Sequence, residues 1–358
     1  MSESAQVFNC LMLQLARGAR MLTQQELAEK TRISQAKLSK LEHGLLSPTP
    51  DDLEALSKEL QYPIEFFYEP IVPRGFPPYH HRKRKSLSAR TLDSIHAAMN
   101  IRRMHVSKLI RSLDSDIARP LPRYDLDEVA GEVGDVARVV REHLGLPRGP
   151  VANVVEALES AGVIIVFCEF GTTKLDALSQ WDEGLPPLVF ANCLVPGDRQ
   201  RYSLAHELGH IVLHSLRPIP NDEEMEAQAD LFAAEFLMPE DDIKSSLFNL
   251  SLSKLARLKE IWKVSMQALL VRARNLHAIS KAEYEYLWKQ ISRAGYRLRE
   301  PIEIAREESK ALKRMIDFHM KDLNYSISDL ARLLRLKASE FTKTYLGFEQ
   351  HLKLVSAN

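Results

Sequence analysis

The stretch RYSLAHELGHIVLH at 201–214 places two histidines four residues apart inside an apolar, helical pattern. Residues at i and i+4 lie one turn apart on the same face of a helix, so His206 and His210 can bind one metal ion. Glu207 is rotated by about 100° from His206. Its carboxylate then lies beside the ion, where a general base can take a proton from zinc-bound water. The spacing predicts a Zn²⁺ site on a helix, with Glu207 as the catalytic residue.

Two histidines leave a catalytic zinc site incomplete, so a third protein ligand is required. His214 continues the spacing, but each four-residue step rises about 6 Å along the helix, and we interpret it as a structural residue or a partner of a ligand. Glu226 begins EAQADLFAAEFLMP, sixteen residues beyond His210, which leaves room for a turn and a returning helix. Asp230, one turn later, can accept a hydrogen bond from a ligating histidine.

The third ligand has two alternatives, and a glycine lies between the two histidines. The acidic run DEEMEAQAD makes Glu223 and Glu224 alternatives to Glu226 as the third ligand. Gly209 leaves the helix surface without a side chain, so another backbone or a substrate can approach closely there.

The first 70 residues have the pattern of short helices joined by tight turns. Thr23 and Ser34 are placed to cap two successive helices, QQELAEKT and QAKLSKLE. In a helix-turn-helix, the second helix enters the major groove with its N-terminal side chains against the base edges, while the first helix contacts the backbone. The residues that we expect to contact DNA are Gln24, Gln35, Ala36, Lys37, Ser39 and Lys40. Glutamine suits adenine, and lysine suits guanine or phosphate.

The rest of the chain divides by composition into three further parts. We predict a helix-turn-helix domain at 1–70, a basic linker and connecting helix at 71–122, a metallopeptidase domain at 123–245 and a helical C-terminal region at 246–358. Three strand patterns, VIIVFCEF, LDALSQW and PLVFAN, precede the histidine helix and indicate a small sheet. The predicted fold class is mainly α with an α+β zincin-like domain, preceded by five helices of the helix-turn-helix domain.

A Leu-Ala pair followed by a gap and a second helix start occurs three times in the chain. The segments are ELAEKTRISQAKL, KLARLKEIWKVSMQAL and DLARLLRLKASEF. The later two lack the LEHG ending of the first, and we interpret them as packing modules and not as DNA readers.

The overall composition excludes several classes of protein. The 48 basic and 48 acidic residues cancel, so affinity for nucleic acid must come from local clustering of charge. Three cysteines without CxxC spacing argue against a disulfide framework. With neither a signal peptide nor an apolar run of membrane-spanning length in the sequence, we expect a cytoplasmic protein.

Two segments resemble known families. The string LTQQELAEKTRISQAKLSKLEHGLLSPTPDDLEALSKEL resembles the Xre/Cro helix-turn-helix domains over about 60 residues. RYSLAHELGHIVLH with EAQADLFAAEFLMP resembles the ImmA/IrrE metallopeptidases, over about 130–300. This second resemblance implies that His206, His210 and Glu226 bind zinc and that Glu207 is the base. It also implies that helix-turn-helix repressors are among the substrates, as they are in that family.

Two functions are compatible with these features. The first is a DNA-binding transcriptional regulator with a zinc endopeptidase domain that cleaves a repressor-type protein or its own linker at 71–90. In the alternative, the metallopeptidase-like domain is a ligand sensor or scaffold without turnover. The expected partners are a double-stranded DNA operator and, in a homodimer that reads a palindrome, a second copy of the chain. The sequence assigns no role to residues 303–358.

Overall fold

The computed structural model describes residues 7–75, 87–111, 121–126, 131–182, 184–216 and 221–347, which form two compact units. The first unit consists of three separate stretches, 7–75, 87–111 and 312–347. The second unit contains the described residues between 121 and 311.

The N-terminal stretch of the first unit contains five helical segments. They are α1 (Cys10–Ala19), α2 (Gln24–Thr31), α3 (Gln35–Glu42), α4 (Pro50–Leu60) and a 3-10 helix (Ile64–Tyr68). Thr23 begins α2 with a reciprocal capping box to Glu26, and Thr49 begins α4 in the same way with Asp52. Each box satisfies two backbone donors that the first turn of a helix leaves unpaired.

The two later stretches of the first unit extend the core of these N-terminal helices. They contain α5 (Ala89–Ile110), α14 (Ala311–Lys321), α15 (Ile327–Leu333), α16 (Ala338–Phe341) and a π-turn (Thr342–Leu346). Ile101 and Leu109 of α5 are buried in one apolar cluster with Leu13 and Phe66. Because this cluster removes an apolar face of every stretch from water, it stabilises the unit as a whole.

The second unit combines a three-stranded sheet with helices. The elements are α6 (Val133–His143), α7 (Val154–Ser160), β1 (Ile164–Cys168), β2 (Ala177–Gln180), β3 (Leu188–Asn192), α8 (Gly197–His214), α9 (Asp222–Leu237), α10 (Glu240–Ile243), α11 (Leu252–Trp262), α12 (Met266–Asn275) and α13 (Lys281–Arg293). In the strand order β1-β3-β2, β3 pairs parallel with β1 and antiparallel with β2. The strands follow α7 and precede α8, so the sheet lies next to the histidine helix in the chain.

An extended segment after α13, residues 303–310, packs against the start of α8. A Cβ on Gly197 would lie 2.3 Å from the carbonyl oxygen of Ile304, so only glycine permits this crossing. Glu307 of the segment forms an ion pair with the buried Arg201 of α8 and accepts a hydrogen bond from the backbone N–H of Val155 at 2.9 Å. Because buried charges need a partner, these contacts hold the segment against the helix.

The fold-class prediction is confirmed: the described chain is mainly helical with one small sheet, and a helix-turn-helix domain precedes it. No helix among the described residues is long and apolar enough to cross a membrane. The predicted domain boundaries stay predictions. Of the linker predicted at 71–90, residues 76–86 lie outside the described residues.

Candidate metal centre and nucleic-acid interface

Three potential ligand atoms converge where α9 crosses α8. The Nε2 atoms of His206 and His210 lie 3.1 Å apart. Glu226 Oε1 lies 3.3 Å from the Nε2 of His210 and 3.8 Å from that of His206. Among the described residues, these three side chains form the one group of histidine, cysteine and acidic ligands whose atoms are close enough to hold a metal ion.

The spacing of the three atoms suits a small tetrahedral cation. Bonds of about 2.1 Å to such an ion keep its ligand atoms about 3.4 Å apart. The three observed distances lie within a few tenths of an ångström of that value. Both histidines are buried, and Glu226 is partly exposed. Three protein ligands also leave a fourth position for water or a substrate.

His206 is oriented by an acidic residue of α9. Its Nδ1 lies 2.9 Å from Asp230 Oδ1, and Nδ1 donates to this carboxylate. Burial disfavours the charged imidazolium, but the hydrogen bond to Asp230 and the nearby carboxylates of Glu226 and Glu207 outweigh burial and raise the pKa of His206 to about 9. A bound cation must therefore displace a proton from Nε2, while Asp230 keeps the proton on Nδ1.

His210 is oriented through a chain of two further side chains. His214 Nε2 lies 2.8 Å from Gln228 Oε1, which only accepts, so Nε2 of His214 carries the proton and donates it. Burial lowers the pKa of His214, which favours the neutral ring, and its Nδ1 is then an acceptor. That atom lies 3.0 Å from His210 Nδ1, which donates to it. The lone pair on His210 Nε2 is thus directed at the centre.

Gly209 permits the close packing that brings Glu226 to the histidines. A Cβ at this position would lie 3.2 Å from the Cα of Ala229 and 3.2 Å from two side-chain carbons of Phe232. These contacts are tighter than ordinary van der Waals separations, so α9 approaches α8 at the glycine. The approach predicted at Gly209 is made by the backbone of α9. Glu207 follows His206 in α8 and is buried, and its charge acts on the neighbouring imidazole.

The two alternative ligands lie near the start of α9. Asn221 caps this helix, and its Oδ1 accepts from the backbone N–H of Glu223 at 3.0 Å. Glu224 Oε1 accepts from Gln228 Nε2 at 3.3 Å. Glu223 and Glu224 are both exposed, and neither belongs to the group that can hold a cation. This arrangement favours Glu226 as the third ligand.

Sequence reasoning did not single out Gln228. Its spacing gives no signal, because a residue two positions from Glu226 and from Asp230 is rotated by about 200° from each around the helix axis. Glutamine is common on solvated helix faces, and only the crossing of the two helices shows its contact with His214.

The helix-turn-helix contains a partly buried ion pair that holds the start of α2. The guanidinium of Arg17 donates to both carboxylate oxygens of Glu42, at 2.6 and 3.0 Å. Gln24 Nε2 donates to Glu42 Oε2 at 2.7 Å. The amide nitrogen of Gln24, which we expect to contact DNA, is thus held by the last residue of α3.

The DNA-contacting residues expected on α3 fall into two groups. Lys37 and Ser39 are partly buried, and Lys37 Nζ lies 2.7 Å from Asp52 at the start of α4. Gln35, Ala36 and Lys40 are exposed. Because α3 presents the exposed group at its start and along its outer face, these residues can approach base edges without breaking a contact within the domain.

Two family models match the chain. Residues 13–67 match the helix-turn-helix family model, and residues 158–274 match the model of the IrrE N-terminal-like domain. The chain carries a helix-turn-helix domain followed by an IrrE N-terminal-like domain. The fusion expected from the sequence is therefore confirmed. No curated protein matches the chain.

Each matched range contains one of the two candidate sites. The helix-turn-helix match contains all the residues expected to contact DNA, from Gln24 to Lys40. The match to the IrrE N-terminal-like domain contains His206, His210 and Glu226. The first domain is of a DNA-binding class, and the second is a metallopeptidase-like domain with a group of side chains able to hold a metal ion.

Proposed function

We propose that this protein is a DNA-binding transcriptional regulator whose second domain is a zinc-dependent endopeptidase. The observation that carries the proposal is the convergence of His206 Nε2, His210 Nε2 and Glu226 Oε1 within 4.8 Å of one another. Glu207 is buried next to them in the chain. Two imidazoles with one carboxylate form a ligand set used by zinc peptidases, and it leaves a position open.

The chain's own residues supply orientation and proton transfer. A bound zinc ion would supply Lewis acidity, which makes water acidic enough to attack at neutral pH. Asp230 and His214 keep protons on the Nδ1 atoms of the two ligating rings, so both Nε2 lone pairs stay available. Glu207 accepts a proton as water oxygen attacks the carbonyl carbon of a peptide bond. It then passes that proton to the leaving nitrogen, so one water is consumed and a carboxylate and an amine form.

Two substrates suit this proposal. The first is a helix-turn-helix repressor, which the resemblance to the ImmA/IrrE family implies. The second is the chain's own segment at 71–90, which contains Pro73, Pro77 and Pro78 and a cluster of cations. Cutting a repressor would remove it from its operator, and cutting at 71–90 would break the covalent link between the helix-turn-helix domain and the rest of the chain. We assign the groove-facing role on DNA to Gln35, Ala36 and Lys40, with Gln24, Lys37 and Ser39 beside them.

A cleavage assay with two forms of the full chain tests the peptidase. The purified protein is incubated with zinc, alone and together with a tagged Glu207→Gln chain, and the products are sized by mass spectrometry. Cutting in cis gives fragments of the untagged chain only, whereas cutting in trans also cuts the tagged chain. Glu207→Gln alone should cleave about 10²- to 10⁴-fold more slowly, because the general base is lost while the ligand set remains.

A reporter-gene experiment distinguishes the peptidase function from that of a sensor or scaffold. The operator is obtained by sequencing the DNA that co-purifies with the protein, and a reporter gene is placed behind it. If Glu207→Gln responds to inducing conditions like the wild type, turnover is dispensable and the domain acts as a sensor or scaffold. A wild-type chain that cuts neither itself, the tagged chain nor a co-expressed repressor would contradict the peptidase assignment.

A further inference from the structure

The C-terminal stretch of the first unit repeats the helix-turn-helix of its N-terminal stretch. We call residues 311–347 the C-terminal copy and the helix-turn-helix within residues 13–67 the N-terminal copy. The C-terminal copy lies outside both family matches. Ser326 caps α15 and forms a reciprocal capping box with Asp329, as Thr23 does for α2 with Glu26. The two pairs are separated by the same 303 positions along the chain. The two helices therefore begin in the same way and in the same register.

The turns of the two copies also coincide. Arg32 and Arg335, again 303 positions apart, end their helices in the left-handed conformation with φ of 61° and 56°. Met21 and Asn324 match in the same register, with φ of 54° and 55°. Left-handed non-glycine residues are uncommon, so two such pairs at one spacing indicate a repeated backbone.

The apolar residues inside the two copies occupy matching positions. Leu-Ala follows the cap in each, an aliphatic residue follows the left-handed arginine, and a large apolar residue lies five positions further on. In the N-terminal copy these buried residues are Leu27, Ala28, Ile33 and Leu38, and in the C-terminal copy they are Leu330, Ala331, Leu336 and Phe341.

The surface chemistry of the copies differs at the positions expected to read DNA. Gln24 corresponds to Ile327, and Gln35 to Ala338, so both amides are absent from the C-terminal copy. Lys37 corresponds to the acidic Glu340. The second helix is also short, since α16 ends at Phe341 and continues as a π-turn. The C-terminal copy keeps the frame of a helix-turn-helix and a lysine, Lys343, at the position of Lys40, but it lacks both amides and has a carboxylate in place of Lys37.

The start of the second helix in this copy instead contacts the N-terminal stretch. Glu340 forms an ion pair with Arg20 at 3.0 Å, and Lys337 Nζ donates to the carbonyl oxygen of Ser57 at 3.1 Å. Phe341 and Leu336 belong to the same buried cluster as Leu60. Polar and apolar contacts therefore join the copy to the ends of α1 and α4.

All three stretches of the first unit meet at one carboxylate. Glu69, which is buried, follows the 3-10 helix of the first stretch. Its Oε1 accepts from Lys108 of α5 at 2.7 Å and from Arg335 of the C-terminal copy at 2.5 Å. Burial opposes ionisation, but the hydrogen bonds from Lys108 and Arg335 outweigh it and hold the pKa of Glu69 below its usual value. Removal of either cation would leave a buried charge less compensated.

We propose that residues 311–347 are a second helix-turn-helix that serves as the internal partner of the DNA-binding domain. The contacts of Arg335, Lys337 and Glu340 hold the N-terminal helices to this copy. A single cut between residues 75 and 87 then leaves the DNA-binding domain attached. This attachment does not depend on the activity of the metal centre. A self-cleaving chain would need a second event, release of the C-terminal copy, to free its DNA-binding domain.

The test is a cut made from outside in the full-length protein. A recognition site for an added protease replaces part of the segment 77–86, the protein is cut to completion, and the mass of the native complex is measured. Operator affinity is measured before and after cutting. We expect the two fragments to stay in one complex at micromolar concentration, with operator affinity within about threefold of that of the uncut chain.

Two charge-reversed variants identify what holds the fragments. Arg335→Glu with Glu340→Arg breaks contacts to Glu69 and Arg20, and after cutting the fragments should bind each other at least about tenfold more weakly. Arg332→Glu with Lys343→Glu changes the exposed face of the same copy and should leave the complex intact. If the first pair does not fold in the uncut chain, the milder Lys337→Met should still weaken the cut complex.

Three results would overturn the proposal. The cut wild-type protein could separate into free fragments, or the first variant could hold its fragments as tightly as the second. In the latter case α5 alone would hold the domain. Protection by operator DNA of α16 amides in hydrogen exchange, at the same level as those of α3, would show instead that the C-terminal copy reads DNA.

Discussion

The metal centre and the DNA-facing start of α3 are organised in opposite ways. At the metal centre, both Nδ1 atoms of the ligating rings are hydrogen-bonded within the fold, to Asp230 and His214. On α3, by contrast, Gln35 and Lys40 extend from the surface. A site that binds a small cation has to be shaped before the ligand arrives, whereas a site that reads DNA obtains most of its complementarity from the groove.

The difference has a consequence for mutation. Changes at the metal centre should propagate through neighbouring side chains, because its atoms are linked from Gln228 to His210. Changes at the start of α3 should act one residue at a time, because the exposed side chains do not support one another. Variants at the two sites test this contrast.

The largest effect is expected from the third ligand. Glu226→Gln keeps the shape of the side chain but removes its charge, so zinc affinity should fall by more than about 100-fold, beyond the loss typical of residues that only orient ligands. The affinity is measured by competition with a chromophoric chelator. The matched control is Glu223→Gln, on the exposed side of the same helix. Equal losses in the two variants would reject Glu226 as the ligand, and operator affinity should change in neither.

A smaller effect is expected on the DNA side. Gln35→Ala should weaken specific operator binding by about 1–3 kcal/mol if its amide bonds a base, without changing zinc affinity. The measurement is the ratio of operator to scrambled-DNA affinity at fixed salt. Gln25→Ala removes an exposed glutamine of α2 and should leave that ratio unchanged. If Gln35→Ala also leaves it unchanged, α3 enters the groove in another register than the one we infer.

The spacing of residues in the sequence is enough to predict the histidine pair and its expected partners. The i, i+4 rule places His206 and His210 on one face, and the same rule places Asp230 one turn beyond Glu226, so both predictions follow from helix geometry. The sheet was likewise readable, because its three strands are short apolar runs bounded by turn residues. These features depend on residues close together in the sequence.

The remaining features depend on how distant segments pack. Gln228 acts on His210 only because α9 crosses α8 at Gly209, and its spacing alone does not distinguish it from a solvated glutamine. The Leu-Ala rhythm near 330 indicates a packing module, but the sequence assigns no role to residues 303–358. Contacts of this segment with Arg20, Ser57 and Glu69 join positions more than 260 residues apart, and polar contacts over such separations leave no local pattern in the sequence.

The smallest effect in the comparison concerns Gln228 itself. Gln228→Leu replaces the amide with an apolar group and so removes the acceptor that holds the proton on His214 Nε2. That proton can then move to Nδ1, where it opposes the proton on His210 Nδ1 across 3.0 Å. Zinc affinity should fall about 10-fold, at the lower end of the range for partners of ligands.

Gln228→Glu supplies the control, because its carboxylate is again an acceptor, and it should recover most of the affinity. The two variants are compared by chelator competition and by the NMR signals of the histidine ring protons in the zinc-bound protein. The leucine variant should shift the His210 and His214 signals and leave those of His206 in place, since His206 is held separately by Asp230. Equal shifts at His206 would mean that the rings of His206 and His210 are coupled through the ion alone. The hydrogen bonds from Gln228 through His214 to His210 would then have no orienting role.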